Sequence, residues 1–133
     1  MGVVIAIDPG REKCGVAVAS GRGVLHRSIC PPHEIPGLVA ELIAEYSAGT
    51  IIIGDGTTGR ELAEHLRDHT ASVPIEFVDE SYTTLKARSR FFQENPPKGL
   101  LRLVPRGLLT PGRPIDDLAA VILAEEYLGK GVG

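Results

Sequence analysis

The chain has 133 residues and a mass of 14.1 kDa, the size of a single domain, which we place over residues 1–133. Its hydrophobic content of 43% and charged content of 23% are ordinary for a soluble globular protein. No run of about 18 apolar residues is present, which excludes a membrane-spanning helix, so we expect no membrane partner. The first residues lack the basic start of a signal peptide, and the two cysteines form no CxxC pair, so we expect a cytoplasmic protein with reduced thiols.

Charge is distributed unevenly along the sequence. The net charge is −3, yet the segment 81–114 carries +6 and the remainder −9. Such segregation favours a basic surface that faces an anionic partner, although a solvated helix and loop would give the same pattern. The basic residues of the segment are Lys86, Arg88, Arg90, Lys98, Arg102, Arg106 and Arg113, against the single acid Glu94.

Hydrophobic periodicity predicts the element order βββαβαβαα. Short glycine-containing turns join the first three strands and favour antiparallel pairing among them. Later strands alternate with helices, as in parallel crossovers, so we predict an α/β fold with a mixed five-stranded sheet and helices on its faces. The predicted strands are 3–8, 15–20, 23–29, 50–54 and 74–80, and the predicted helices are 31–47, about 59–69, 83–93 and 115–128, with a basic loop over 95–114.

Acidic residues stand at the ends of predicted elements. Asp8 ends the first strand, Glu80 ends the last strand, and Asp116 and Asp117 begin the last helix. We expect the first and last strands to lie side by side, with the helix bringing a third carboxylate beside them. Clustered carboxylates repel each other unless a divalent cation neutralises them, so the pattern favours a metal site. Each acid also has a plainer explanation: Asp8 as a turn former, Glu80 as a polar strand end, and Asp116 or Asp117 as a helix N-cap.

Four segments, in order along the chain, resemble the YqgF and RuvC branch of the RNase H-like nuclease superfamily. The first, IDPGREKCGVAVA, resembles the opening Asp-x-Gly strand and turn of that branch. The second, IIIGDGTTGREL, is similar to the strand and Gly-Thr-rich loop of the YqgF-like domain in the transcription accessory protein Tex. The third and fourth, FVDESYTTLKA and PIDDLAAVILAEEYL, resemble the Asp-Glu-Arg-x-Thr-Thr signature and the closing Asp-x-Leu-Ala-Ala helix. The resemblance covers nearly the whole chain and implies the RNase H-like fold.

The resemblance implies a nuclease that hydrolyses phosphodiester bonds with two Mg²⁺ or Mn²⁺ ions. Asp8, Glu80 and Asp116 would be the catalytic metal ligands, and Asp117 stays an alternative because helical geometry does not separate it from Asp116. The implied partner is structured nucleic acid, either a Holliday junction in DNA recombination or a 16S rRNA precursor in ribosome biogenesis. Ser81 stands where the family has Arg, which affects an expected phosphate contact rather than the metal site.

Six basic residues are candidates for contacts with nucleic acid. Lys13 and Arg60 lie beside loops at the carboxyl ends of predicted strands, where they would reach phosphates that flank the cleaved bond. The other four, within the basic segment, would extend the track, and they are Lys86, Arg88, Arg102 and Arg106.

Two other classes of function fit part of the sequence. A non-catalytic nucleic-acid-binding module would need the basic segment but not the acids. An actin-like ATPase also opens with an Asp-x-Gly hairpin, but it needs two lobes and this chain supplies one. The oligomeric state, including a homodimer, is left open.

The remaining candidates favour ordinary roles. His65 and His69 have the i, i+4 spacing of a zinc pair but no third ligand nearby, so we interpret them as surface residues. Phe91 fits the apolar stripe of its helix, so we expect it and Phe92 in the core rather than stacked on bases. Tyr82, next to Glu80, is a better stacking candidate.

Overall fold

A computed structural model describes residues 2–70, 73–79, 83–95 and 116–132, and it confirms the predicted order of strands and helices. None of the helices in these ranges has both the length and the apolar character needed to cross a membrane. The elements are β1 (Val4–Asp8), β2 (Cys14–Ser20), β3 (Gly23–Cys30), α1 (Ile35–Tyr46), β4 (Thr50–Gly54), α2 (Thr57–Leu66), β5 (Ile75–Val78), α3 (Thr83–Glu94) and α4 (Asp116–Val132), with a 3₁₀ turn at Pro32–Glu34 before α1.

The five strands form one mixed sheet in the order β3-β2-β1-β4-β5. Strand β1 pairs antiparallel with β2 and parallel with β4, and β4 pairs parallel with β5. The mixed five-stranded sheet is therefore as predicted. The expectation that the first and last strands lie side by side is wrong, because β4 separates them and β5 is an edge strand. Strand β4 is buried from Ile51 to Gly54, whereas Glu76 in β5 is exposed, which suits β4 to the interior and β5 to the edge.

Alternation along the strands divides the core into two faces. Ile5 and Ile7 of β1 pack towards α1 and α2, together with Val16 and Val18 of β2. Val4 and Ala6 face the other way and pack with Leu123 and Ala124 of α4. By the same period of two, Asp8 belongs to the face that α4 covers.

Small residues let α4 lie close against β2. Ala17 of β2 packs with Ala120 and Val121 of α4, so short side chains meet on both sides of the contact. The closest approach is at Gly15, where a Cβ atom would stand 1.8 Å from the carbonyl oxygen of Asp116 and 2.9 Å from the amide nitrogen of Asp117. Only glycine leaves room for the main chain at the start of α4.

Helix α3 covers the outer side of α4. Phe91 and Phe92 are both buried and pack with Leu118, Ala119 and Ile122 of α4. The two phenyl rings meet edge to face, with 5.2 Å between their centroids. Both phenylalanines therefore belong to the core, as expected from the sequence.

Two helices differ from their predicted bounds. Helix α2 spans Thr57–Leu66 rather than about 59–69. Gly59 in its first turn lies close to β4, since a Cβ there would stand 2.2 Å from the Gly54 carbonyl oxygen. Helix α4 continues to Val132 rather than ending at residue 128. Tyr127, just before this extension, donates a hydrogen bond from its hydroxyl to Glu76 of β5, which ties this part of the helix to the sheet.

We expect Gly15→Ala to destabilise the fold by about 1–3 kcal/mol, since the added methyl group meets rigid main chain and α4 has to move away. Urea unfolding measures this directly. Gly37→Ala is the matched control, because Gly37 lies inside α1 and a Cβ there meets nothing within 4 Å. The control should gain about 0.5–1 kcal/mol from helix propensity. Equal stability of the two variants would contradict the close approach of α4.

Candidate functional site

Asp8 and Asp116 converge at the contact between β1, β2 and α4. Asp8 lies directly opposite Gly15 in the antiparallel register, and the main chain of Asp116 rests on that same glycine. Residues opposite each other in such a pair have their Cα atoms about 4.5–5.5 Å apart. Both aspartates are partly buried, so two carboxylates meet at one place on the α4 face. From the positions of the acids, the sequence predicted a carboxylate from the start of α4 near Asp8, and the choice of Asp116 over Asp117 came from the family resemblance alone.

Cys14, which follows the β1–β2 turn and packs in the core on the α1 and α2 side, lies within the electrostatic reach of both acids. Burial raises the pKa of the Cys14 thiol, and the negative charges of Asp8 and Asp116 raise it further. A hydrogen bond with the main chain of Gly10 acts in the opposite direction and lowers the pKa. One thiol therefore responds to both carboxylates.

The third predicted ligand, Glu80, lies outside the described residues. Within residues 2–70, 73–79, 83–95 and 116–132, no three His, Cys, Asp or Glu side chains are grouped closely enough to hold a metal ion. The last strand before it, β5, ends at Val78 and lies two strands away from β1.

Asp117 differs from Asp116 in its surroundings. It is only 6% exposed, and its carboxylate lies 3.6 Å from the guanidinium Nε of Arg27 in β3. Arg27 is opposite Ala17 in the register, so it projects towards α4 as well. The structure therefore gives the two neighbouring aspartates different settings: one beside Asp8, the other against a cation.

Arg27 is a residue that the sequence analysis missed. Its second nitrogen lies 3.5 Å from Glu94 at the end of α3, so one arginine contacts both helices that follow the sheet. Glu94 also pairs with Arg90, which in turn bonds Glu125 of α4 at 2.7 Å. The sequence shows only one arginine within the predicted strand 23–29. A single charge in a strand does not by itself indicate which residues it pairs with.

The predicted nucleic-acid contacts fall into three groups. Lys13 is exposed in the β1–β2 turn and forms no ion pair with any other described residue. Lys86 pairs with Glu126 of α4 at 2.5 Å, so much of its charge is already balanced. The side chain of Arg88 and the whole of Arg102 and Arg106 are outside the described residues, as is the stacking candidate Tyr82.

Arg60 has two partners within the chain. Its guanidinium bonds Asp55 at 3.1 and 3.2 Å and lies over the ring of Phe77, 4.2 Å from the ring centroid. Asp55 directly follows β4, the parallel neighbour of β1, and its amide donates to the Val78 carbonyl oxygen. Both Arg60 and Phe77 lie on the α1 and α2 side, where Phe77 packs against the core. Asp55 thus joins β4, β5 and α2.

The fold is that of the RuvC-type resolvases with an RNase H-like sheet. The structure of Thermus thermophilus RuvC in complex with a Holliday junction substrate superposes with a TM-score of 0.59 and 15% identity, covering 100% of this chain and 97% of that one. A second structure of the same organism's RuvC gives a TM-score of 0.57 and 17% identity, over 97% and 96% of the two chains. At these identities the likeness concerns the fold.

The family model described as "RuvX: Holliday junction resolvase" matches residues 2–130, and the chain belongs to this family. A relative from Thermus thermophilus, named "Putative pre-16S rRNA nuclease", is 29% identical over 145 residues, covering 96% of this chain and 97% of its own. A relative of the same name from Thermobifida fusca is 34% identical over 100 residues, 65% of this chain and 63% of its own. The resemblance seen in the four sequence segments is confirmed, and the family is named for nucleases.

We expect Arg27→Met to lower the free energy of unfolding by about 1–2 kcal/mol, since it removes the cation beside a buried carboxylate. The loss is smaller than for a fully buried pair because the Arg27 side chain is 38% exposed. The double variant Arg27→Met/Asp117→Leu removes both charges and should recover most of that loss. Urea unfolding of the single and double variants measures the coupling. An additive double variant would show that the pair contributes nothing.

Proposed function

We propose that this chain is a divalent-metal-dependent nuclease in which Asp8, Glu80 and Asp116 hold two Mg²⁺ or Mn²⁺ ions. The observation that carries the proposal is the meeting of Asp8 and Asp116 across Gly15, on a sheet of RuvC type. Carboxylate oxygens are the hard ligands that these cations prefer, and two of them at one partly buried place fit such a centre. Membership of a family named for nucleases supports the same chemistry.

Each part of the chain contributes to positioning. Strand β1 is paired on both sides, so Asp8 stands on a rigid backbone. Gly10 allows the turn after it, since a Cβ there would lie 2.2 Å from the Lys13 carbonyl oxygen. This turn leads the chain away from Asp8 and leaves the carboxylate side open to a substrate. Exposed Lys13, at the end of the turn, would contact a phosphate next to the cleaved bond.

The bound ions would supply the charge that the scissile phosphate and the departing 3′ oxygen need, and they would activate the attacking water. The carboxylates hold that charge in place and need no covalent attachment to the substrate. The products would be a 5′ phosphate and a free 3′ hydroxyl. Asp117, paired with Arg27, would hold the first turn of α4 and so keep Asp116 in position.

The substrate we propose is structured nucleic acid, with a 16S rRNA precursor as the first candidate. The Thermus thermophilus relative that shares 29% identity over nearly the whole chain is named "Putative pre-16S rRNA nuclease", whereas RuvC, solved with a Holliday junction, shares 15%. Cleavage of precursor 16S rRNA, four-way junction DNA and single strands should be compared with Mg²⁺ and with Mn²⁺. Binding to these substrates without metal-dependent cleavage would favour the alternative, a non-catalytic nucleic-acid-binding module.

Asp8→Asn should abolish cleavage while the fold stays intact. Outer-shell partners of a metal cost about 10–100-fold when mutated, so the loss of a direct ligand should exceed that. Cleavage rate and melting temperature are measured on the same preparation. Asp68→Asn is the control, because Asp68 is exposed after α2 and has no ion pair with any other described residue. Activity of Asp8→Asn within a few-fold of wild type would remove Asp8 from the centre.

Asp116→Asn and Asp117→Asn should fail in opposite ways. Asp116→Asn should lose Mn²⁺ binding and cleavage, with metal-free stability unchanged or higher because carboxylate repulsion is relieved. Asp117→Asn should lose about 1–2 kcal/mol of stability through its weakened pair with Arg27, with a smaller effect on cleavage. Mn²⁺ titration, urea unfolding and cleavage separate the two. Loss of metal in Asp117→Asn alone would place the ligand one residue further along the chain.

A further inference from the structure

A cleft opens on the face of the sheet opposite the carboxylates. Its volume is about 760 Å³, within the roughly 300–1,000 Å³ of small-molecule sites. The β1–β2 turn, the 3₁₀ turn before α1 and helix α2 form its walls. All three segments meet at the edge of the sheet where β1 ends. The cleft therefore lies around the corner from Asp8, on the α1 and α2 side.

Apolar groups form part of the cleft, and basic and aromatic groups line the rest. Leu62, Pro32 and Pro36 supply apolar surface. The imidazoles of His33, His65 and His69 line it from two sides, and all three residues are exposed. The i, i+4 histidine pair is therefore at the surface, as expected from the sequence, and it also lines this cleft, which the sequence did not indicate.

Two charged side chains face the cleft. Arg11 comes three residues after Asp8, and it has no ion pair with any other described residue. Glu61 of α2 is the acid on the opposite wall. Because no three metal-ligating side chains of the described residues group together, the histidines do not form a metal site there. An apolar surface lined by flat imidazoles, with a cation at the turn, matches a planar heterocycle that carries a phosphate.

We propose that this cleft holds the base of an unpaired nucleotide of the substrate strand, with Arg11 contacting a neighbouring phosphate. The proposal rests on the proposed function only in that the ligand is a nucleic acid. A strand whose phosphate reaches Asp8 passes the Gly10–Arg11 turn, and the cleft is the recess beside that turn. The base enters between the imidazoles while the backbone stays at the edge. Such a subsite would select substrates with an unpaired nucleotide next to the cleaved bond.

The test measures binding without metal, so that it does not depend on cleavage. Single strands carry 2-aminopurine or an abasic residue at successive positions, and the full-length protein is titrated against each. At one position we expect a change in 2-aminopurine emission on binding, and about tenfold weaker binding of the abasic strand, in the range of one stacked base. His65→Ala/His69→Ala should weaken the intact strand about tenfold and leave the abasic strand unchanged.

Glu64→Ala/Arg67→Ala is the matched control, since both residues are exposed on or beside α2, do not line the cleft and leave the net charge unchanged. It should bind both strands as wild type does. If removing the base costs the same in wild type and in the histidine variant, the base does not occupy the cleft and the proposal fails. Equal competition by free AMP and by the strand would also overturn it in favour of a free-nucleotide site. If the protein shows the expected differences in binding between intact and abasic strands but cleaves none of the substrates, the proposed nuclease activity would be wrong and the proposed base subsite would stand.

Discussion

The close contact between α4 and β2 at Gly15 determines the geometry of the site. Side chains normally separate a helix from the sheet it packs on, but here the main chain of Asp116 comes directly against the strand at Gly15. The register of β1 against β2 then places Asp8 near Asp116, because Asp8 is the residue opposite Gly15. The two carboxylates meet because the one position between them has no side chain. Alanines further along both elements keep the helix at that short distance.

Much of the fold could be predicted from the sequence, since each strand and helix carries its own period. What was mispredicted is the neighbour of β1. The order of parallel strands in a sheet depends on how the crossover helices pack, and the sequence of a single strand does not determine it. Part of a signal was present: β4 is apolar throughout, whereas β5 carries Glu76, a residue more typical of an edge strand. Strand β4 therefore lies between β1 and β5, the strand that precedes Glu80 in the sequence.

The positive charge of the segment 81–114 is a poor indicator of a nucleic-acid-binding surface, because part of it is neutralised within the chain. Lys86 and Arg90, its cations with described side chains, form ion pairs with Glu126 and Glu125 of α4. The Glu125 hydrogen bond raises the pKa of Arg90, as expected when a guanidinium is held by a carboxylate. Basic residues of α3 and acidic residues of α4 are far apart in the sequence but form ion pairs in the fold. The uneven charge along the sequence therefore partly reflects the contact between α3 and α4. Pairs of this kind depend on tertiary packing and cannot be read from a window of residues.

At the carboxyl end of β1, the two faces of the sheet carry different groups of side chains. On the α4 side, Asp8 and Asp116 lie on the two sides of Gly15. On the other side, Arg11 and three imidazoles line an open cleft that suits a base and a phosphate. The turn at Gly10 connects the acidic face to the cleft, because Asp8 precedes the turn and Arg11, which lines the cleft, follows it. A strand that crosses this edge would meet the acids through its cleaved phosphate and the cleft through a neighbouring base. The position of the base would then determine which phosphate reaches Asp8, so the proposed base subsite would set the site of cleavage without touching the reacting atoms.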